Sequence, residues 1–145
     1  MDDTFSDTYL STISANLKQK IIAINGQDVN LMLWDLGHST NHSTHPKLFF
    51  NGASAVVLVF DVTRIDTADY IFTELEFFKK EYPNIVIKVI GNKADLIDKK
   101  ALQALKTNSK HPIDAFTSAK LGENVENVFR EVAEVCHKIR RTKQA

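Results

Sequence analysis

Apolar and polar residues alternate along KIIAINGQDVNLMLWD (20–35). Ile22 and Ile24 precede an Asn25-Gly26 pair, and Val29, Leu31 and Leu33 follow it. A side-chain period of two on either side of Asn-Gly predicts a hairpin with a two-residue turn, because both turn positions need positive φ. Further along, the pattern changes. AVVLVF (55–60) and IVIKVIG (85–91) are near-continuous apolar runs, the second entered after Pro83-Asn84. Runs of that length predict strands buried on both faces. Between them the period becomes helical: Ala68, Ile71, Phe72, Leu75 and Phe78 recur three and four residues apart until Tyr82-Pro83. Val125, Val128, Phe129, Val132, Val135 and Ile139 form a second stripe that runs into the basic HKIRR, which suits a helix C-terminus. A shorter helix around Ala101, Leu102 and Leu105, a brief strand at IDAF (113–116) and a frayed RRTKQA tail complete the prediction.

Hairpin, strand, helix, strand, helix, short strand, helix is the order of an α/β fold with a mostly parallel sheet. No linker interrupts it, so residues 1–145 are expected to form a single domain. Composition adds little beyond exclusions. With 18 basic and 18 acidic residues, no net field favours nucleic acid or an anionic membrane. The one cysteine, Cys136, excludes an intramolecular disulfide and fits a reducing compartment. No apolar run reaches the roughly 20 residues that cross a bilayer. The acidic, polar opening MDDTFSDTYLST does not read as a targeting segment, so a soluble, cytoplasmic location is expected.

Chemistry concentrates at two strand ends. Open parallel sheets bind ligands in the crevice beyond the carboxyl ends of their strands. Asn92, Lys93 and Asp95 lie just past IVIKVIG, in GNKADL. An ionised carboxylate there can accept hydrogen bonds from the ring N–H and the exocyclic amine of guanine, a pair of donors that adenine does not offer. Each charge-assisted bond contributes roughly 1.5–3 kcal/mol. Asn92 would meet the ring's acceptor edge and the Lys93 stem would cover its face. A solvated strand-to-helix turn explains the same four residues taken alone, since Asn, Lys and Asp are common in loops. A second match tips the balance: TSAK (117–120) follows the next strand, where Ser118, the Ala119 N–H and Lys120 could complete a pocket around the guanine carbonyl.

NKAD with TSAK, WDLGH after a hairpin, and FFNGASAVVLVFDVT together resemble the Ras superfamily of small GTPases, with Rab as the nearest branch. The resemblance covers nearly the whole chain. It implies a three-layer Ras-like fold, GTP or GDP with Mg²⁺ as ligands, a switch function in vesicle traffic and effector proteins as partners. DDTFSDTYLSTI resembles the Rab switch I loop, whose threonine, here Thr12, binds Mg²⁺ and the γ-phosphate. Asp35 matches the aspartate that supports Mg²⁺ indirectly. Leu17, Trp34 and Phe49 stand where Rab effectors read an aromatic triad, with Leu17 departing from the pattern; an aromatic at a strand end, as Trp34 is, is also an ordinary core residue.

Other departures are larger. The chain opens where switch I opens, so the family's first strand, phosphate-binding loop and first helix are expected to be missing. None of the five glycines begins or completes G-x-x-x-x-G-K-S/T, the loop that supplies a backbone N–H cradle, a lysine and an Mg²⁺ ligand. In an ungapped comparison Asp35-Leu36-Gly37-His38-Ser39 faces the family's D-T-A-G-Q, which puts Ser39 at the water-orienting glutamine; a shift of one residue would restore the glycine and put His38 there, but it needs a compensating gap. Hydrolysis by this chain is therefore not expected. The chain also ends without the prenylated cysteine of Rab proteins. Association with endomembranes would then go through partners.

The missing strand belongs between the segments near 29–34 and 55–60. Direct pairing of those two, a strand donated by a partner or second copy, and an incomplete product of an active Rab gene all remain open. Three functional readings follow: a Rab-like homologue with weak nucleotide binding, an interaction module that binds none, and a truncated active GTPase. His38, His42 and His45 are spaced as metal ligands, but their Ser, Thr and Asn neighbours suit a loop. Cys136, beside the apolar stripe, reads as a packed small hydrophobe.

Overall fold

The computed structural model describes residues 16–36 and 50–145. They divide into two compact units, one of residues 16–36, 50–52 and 133–145, the other Ala53–Val132. In the first, β1 (Asn16–Ile24) and β2 (Gln27–Asp35) pair antiparallel from Ile24↔Gln27 to Asn16↔Asp35. Asn25 (φ 51°) and Gly26 (φ 78°) form the turn, the left-handed pair that the Asn-Gly sequence predicts. Alternation gives the hairpin two faces. Ile22 and Ile24 lie on the buried one, while Leu17, Ile21, Met32 and Trp34 lie on the other, each at least half exposed.

The second unit carries a parallel sheet in the order β3-β4-β5, from β3 (Ala55–Asp61), β4 (Val86–Asn92) and the two-residue β5 (Ala115–Phe116). Helix α1 (Ile65–Glu81) packs on β3 and β4 through Ala68, Ile71, Leu75 and Phe78, four members of the predicted stripe, all buried. A 3₁₀ turn (Ala94–Leu96) leads to α2 (Lys99–Asn108), whose Asp98 cap accepts from the Ala101 N–H at 2.8 Å. Helix α3 (Val125–Gln144) begins in this unit, with Val128 and Val132 buried. Parallel strands with flanking helices make the expected Ras-like α/β fold.

Three expectations need correction. AVVLVF is not buried throughout: Leu58 and Phe60 are, on the face where Phe60 meets Phe72 of α1, but Val59 on the opposite face is 50% exposed. The tail is not frayed. Helix α3 continues to Gln144, Thr142 donates to the Lys138 carbonyl at 3.0 Å, and Arg141 and Lys143 complement the helix dipole in its last turn. The stripe on α3 outlasts its burial, since Val135 and Ile139 are more than a third exposed. Among the described residues the strands form two sheets, β1-β2 and β3-β4-β5.

Candidate functional site

The parallel register sets Asp61, the last residue of β3, opposite Asn92, the last residue of β4. Both chains leave the sheet at one level. Gly91, just before, must be glycine for a reason of space: a Cβ there would lie 2.7 Å from the Phe116 ring and 2.7 Å from Val62 Cγ1. Its carbonyl accepts from the Thr117 N–H at 2.9 Å, which continues the β4–β5 contact into the TSAK loop. The Ala94 N–H returns a bond to the Thr117 carbonyl at 3.0 Å. NKAD and TSAK are thereby bound to each other through the backbone before any side chain is counted.

Side chains tighten that junction. Asn92 Oδ1 accepts from the Thr117 hydroxyl at 3.1 Å and from the Ala119 N–H at 3.0 Å. With its carbonyl oxygen occupied, the Asn92 carboxamide presents its NH₂ group as a donor. Ser118 is fully buried and donates its hydroxyl to Asp95 Oδ1 at 2.6 Å, while its Oγ accepts from the Leu121 N–H at 3.2 Å. A reciprocal backbone pair, Ser118 with Glu123 at 3.1 and 3.0 Å, closes the loop, whose turn uses Gly122 (φ 71°) and Asn124 (φ 61°). Asn124 Nδ2 donates to the Phe116 carbonyl at 2.9 Å. Asp95 itself is exposed, so its second oxygen faces a place a ligand can reach.

Lys93 takes the left-handed conformation (φ 65°), and its Nζ lies 2.7 Å from Asp61 Oδ2. Asp61 Oδ1 accepts from the Thr63 N–H at 2.9 Å and the Thr63 hydroxyl at 2.6 Å. Burial pushes the Asp61 carboxyl up, but the hydrogen bonds from Lys93 and Thr63 outweigh it and hold the group below its ordinary 3.8.

The structure thus brings together Asn92, Lys93, Asp95, Ser118 and Ala119, with Lys120 exposed at the loop's far side. A half-open hollow of about 370 Å³ lies alongside, lined by Ala94, Asp95, Phe116, Ser118 and Asn124 among others. A larger hollow of about 780 Å³, between α1 and the segment 104–113, contains none of these residues. Asp35 ends β2, exposed, and belongs to the hairpin unit. Leu17 and Trp34 are cross-strand partners on the open face of that hairpin. Thr12, Phe49 and the histidines at 38, 42 and 45 lie outside the described residues. Among the described residues no cluster of His, Cys, Asp or Glu could hold a metal ion, and no helix is long and apolar enough to cross a membrane. Cys136 is half-buried, and burial pushes its thiol up.

Sequence reasoning missed Asp61, Thr117 and Asn124. No signal in the sequence marks Asp61, because its meeting with Asn92 follows only from the parallel register of β3 and β4.

Known proteins are similar to this chain in sequence. The Ras family model matches residues 1–138. The chain is 32% identical over 138 residues to "Ras-related protein Rab-10" of Caenorhabditis elegans, covering 92% of this chain and 69% of that one. It is 33% identical over 140 residues to "Ras-related protein Rab-1" of Theileria annulata, covering 91% and 63%. It is 31% identical over 141 residues to "Ras-related protein Rab-1A" of Dictyostelium discoideum, covering 91% and 68%. The chain therefore spans about two thirds of the length of these relatives.

Proposed function

This chain belongs to the Ras family of small GTPases, related to Rab proteins, and from that premise we propose that it reads guanine. Asp95 takes the ring N–H and exocyclic amine, Asn92 the acceptor edge, and the Lys93 stem covers the ring. Ser118 holds Asp95, while Ala119 and Lys120 close the carbonyl side. The observation that carries this reading is the bonding of the two motifs into one cluster, with Ser118 on Asp95 at 2.6 Å and Ala119 on Asn92 at 3.0 Å.

The nucleotide class is GTP or GDP, and the role is a switch in intracellular traffic that acts through Rab-type effectors. Those would read Leu17, Trp34 and Phe49, and would bring a cytoplasmic protein to endomembranes. Mg²⁺ stabilises charge on the phosphates in this family; Thr12 would be its ligand, with Asp35 in support. In the ungapped comparison Ser39 stands at the family's glutamine position, so hydrolysis by this chain is absent or nearly so. A single domain over 1–145 goes with this reading.

One observation favours a second reading, an interaction module with no nucleotide. The hairpin leaves Leu17, Ile21, Met32 and Trp34 exposed on one face, an apolar strip of the kind that marks a protein contact. Thermal unfolding separates the two. With millimolar GDP and Mg²⁺ the melting transition of the 145-residue chain should rise, with ADP it should not, and Asp95→Asn should remove the difference. A ligand at one hundred times its Kd stabilises the folded state by about 2.7 kcal/mol. A transition indifferent to GDP would leave the interaction module standing.

A further inference from the structure

A lysine is a poor cover for a flat ring unless something holds it still. Its flexible four-carbon stem is among the side chains with the most rotamer freedom to lose on ordering. Lys93 is held at both ends. Its backbone takes the left-handed conformation (φ 65°), uncommon for a residue with a Cβ, and its carbonyl accepts from the Leu96 N–H at 3.0 Å. At the far end its ammonium lies 2.7 Å from Asp61 Oδ2.

The anchor is itself fixed. Asp61 is in register with Asn92, the residue just before Lys93, so the lysine reaches sideways from the end of β4 to the end of β3. The other Asp61 oxygen accepts from the Thr63 N–H at 2.9 Å and from its hydroxyl at 2.6 Å. The Asp61 N–H donates to the Thr67 hydroxyl at 3.1 Å, and that hydroxyl donates to the Arg64 carbonyl at 2.6 Å. The Asp61 side chain is 13% exposed and that of Lys93 is 46% exposed, so the carboxylate is the settled member of the pair. Asn92 is bonded to Ala119 and Asp95 to Ser118. With Asp61 on Lys93, each polar residue of NKAD is held by a partner outside the motif.

We propose that Asp61 is a positioning residue for guanine: by holding the Lys93 ammonium, it presents the lysine stem to the face of the base before the base arrives. This rests on the base-reading proposal and adds a residue to it. A stem already ordered spares the ligand the work of ordering it, a factor of about two to ten in affinity for a flexible side chain. Guanine and hypoxanthine offer that stem the same ring face. The exocyclic amine that Asp95 takes is present only in guanine. Asp61 therefore governs how tightly such a ring is held, and Asp95 governs which ring.

The test is an NMR shift titration of the intact chain with GMP, IMP and AMP, which differ only in the base. Asp61→Asn keeps an acceptor for Thr63 and removes the charge that holds Lys93. It should weaken GMP and IMP alike, by about fivefold, and leave their ratio unchanged. Lys93→Met keeps an apolar stem and removes the tie, with the same expected loss. Combined, the two should weaken GMP by about fivefold rather than about twenty-fivefold, because both remove one interaction.

An Asp61→Asn chain, folded by its melting curve, that binds GMP as tightly as the unmodified chain overturns the inference. So does a changed ratio of GMP to IMP, or a loss from Asp61→Asn that persists in full beside Lys93→Met, since Asp61 would then act by another route. If Asp61→Asn does not fold, Lys93→Met decides alone, and an undiminished GMP affinity there overturns the inference. The base-reading proposal fails differently: the unmodified chain binds no GMP, or takes AMP as well as GMP. That result removes both ideas, whereas the preceding ones remove only the role of Asp61.

Discussion

The hairpin of residues 16–35 and the junction of 91–95 with 117–124 are held together in opposite ways. The hairpin is one continuous ladder of nine paired positions, closed by a two-residue turn, and what it presents outward is apolar side chain. The junction has almost no regular structure, since β5 contributes two residues, and its order comes from side chains bonded to backbone groups across the two loops. A ladder tolerates exchange of the side chains it displays. A junction of that kind does not, because nearly every polar atom in it has an assigned partner.

That contrast predicts a ranking of substitutions. The largest effect should come from Gly91→Ala. Its Cβ would stand 2.7 Å from the rigid Phe116 ring and from Val62, at the point where β4 enters the junction. Overpacking of this kind costs about 1–3 kcal/mol, read as a lower urea midpoint at unchanged slope. A midpoint equal to that of the unmodified chain would show that the junction yields more readily than its packing implies.

An intermediate effect should appear in acid. Because the folded pKa of Asp61 is depressed, the stability it contributes is present above the ordinary carboxylate value of 3.8 and is lost as pH falls through the folded value. The Lys93 side chain is 46% exposed, so solvent screening limits this contribution to about 1 kcal/mol or less. Asp61→Asn should therefore be less stable than the unmodified chain at pH 6, with the gap closing below pH 3.8. Urea titrations at pH 6 and pH 3 measure it, and a gap of the same size at both would remove the ion pair from consideration.

The smallest effect belongs to the hairpin. Trp34→Ser removes a side chain that is 52% exposed on the open face, and should change stability by no more than about 0.5 kcal/mol. If the substitution costs far more than that, the open face is tied down in a way the ladder alone does not provide.

Much of this architecture was legible in the chain because its period was clean. Ala68, Ile71, Leu75 and Phe78 are buried on α1, and Asn25-Gly26 forms the turn. The failures share a cause. Val59 belongs to a run that reads as covered on both faces, and only the arrangement of neighbours exposes one of them. The helix end at Gln144 depends on local bonds, Thr142 to Lys138 among them, which override the appearance of a polar tail. In the junction, NKAD and TSAK announced themselves because each residue has a distinct chemical role. Asp61 did not, because an aspartate after an apolar run carries no mark of its partner until strand register is known, and that partner lies 2.7 Å away at Lys93.

The Asn25-Gly26 turn has a consequence for how the chain keeps count of itself. Sliding β1 by a single residue would turn its faces over, bringing Leu17 and Ile21 to the side now held by Ile22 and Ile24. In most sheets a slip of that kind is self-correcting, because it buries charge and exposes oil. Here both sides are oily, so burial alone would score the two phases as near equals. The zero of the scale is set by two residues with φ of 51° and 78°, which permit one closure and no neighbouring one. The least apolar part of the hairpin is thus its timekeeper: blur it, and the strands lose their phase while keeping their strength.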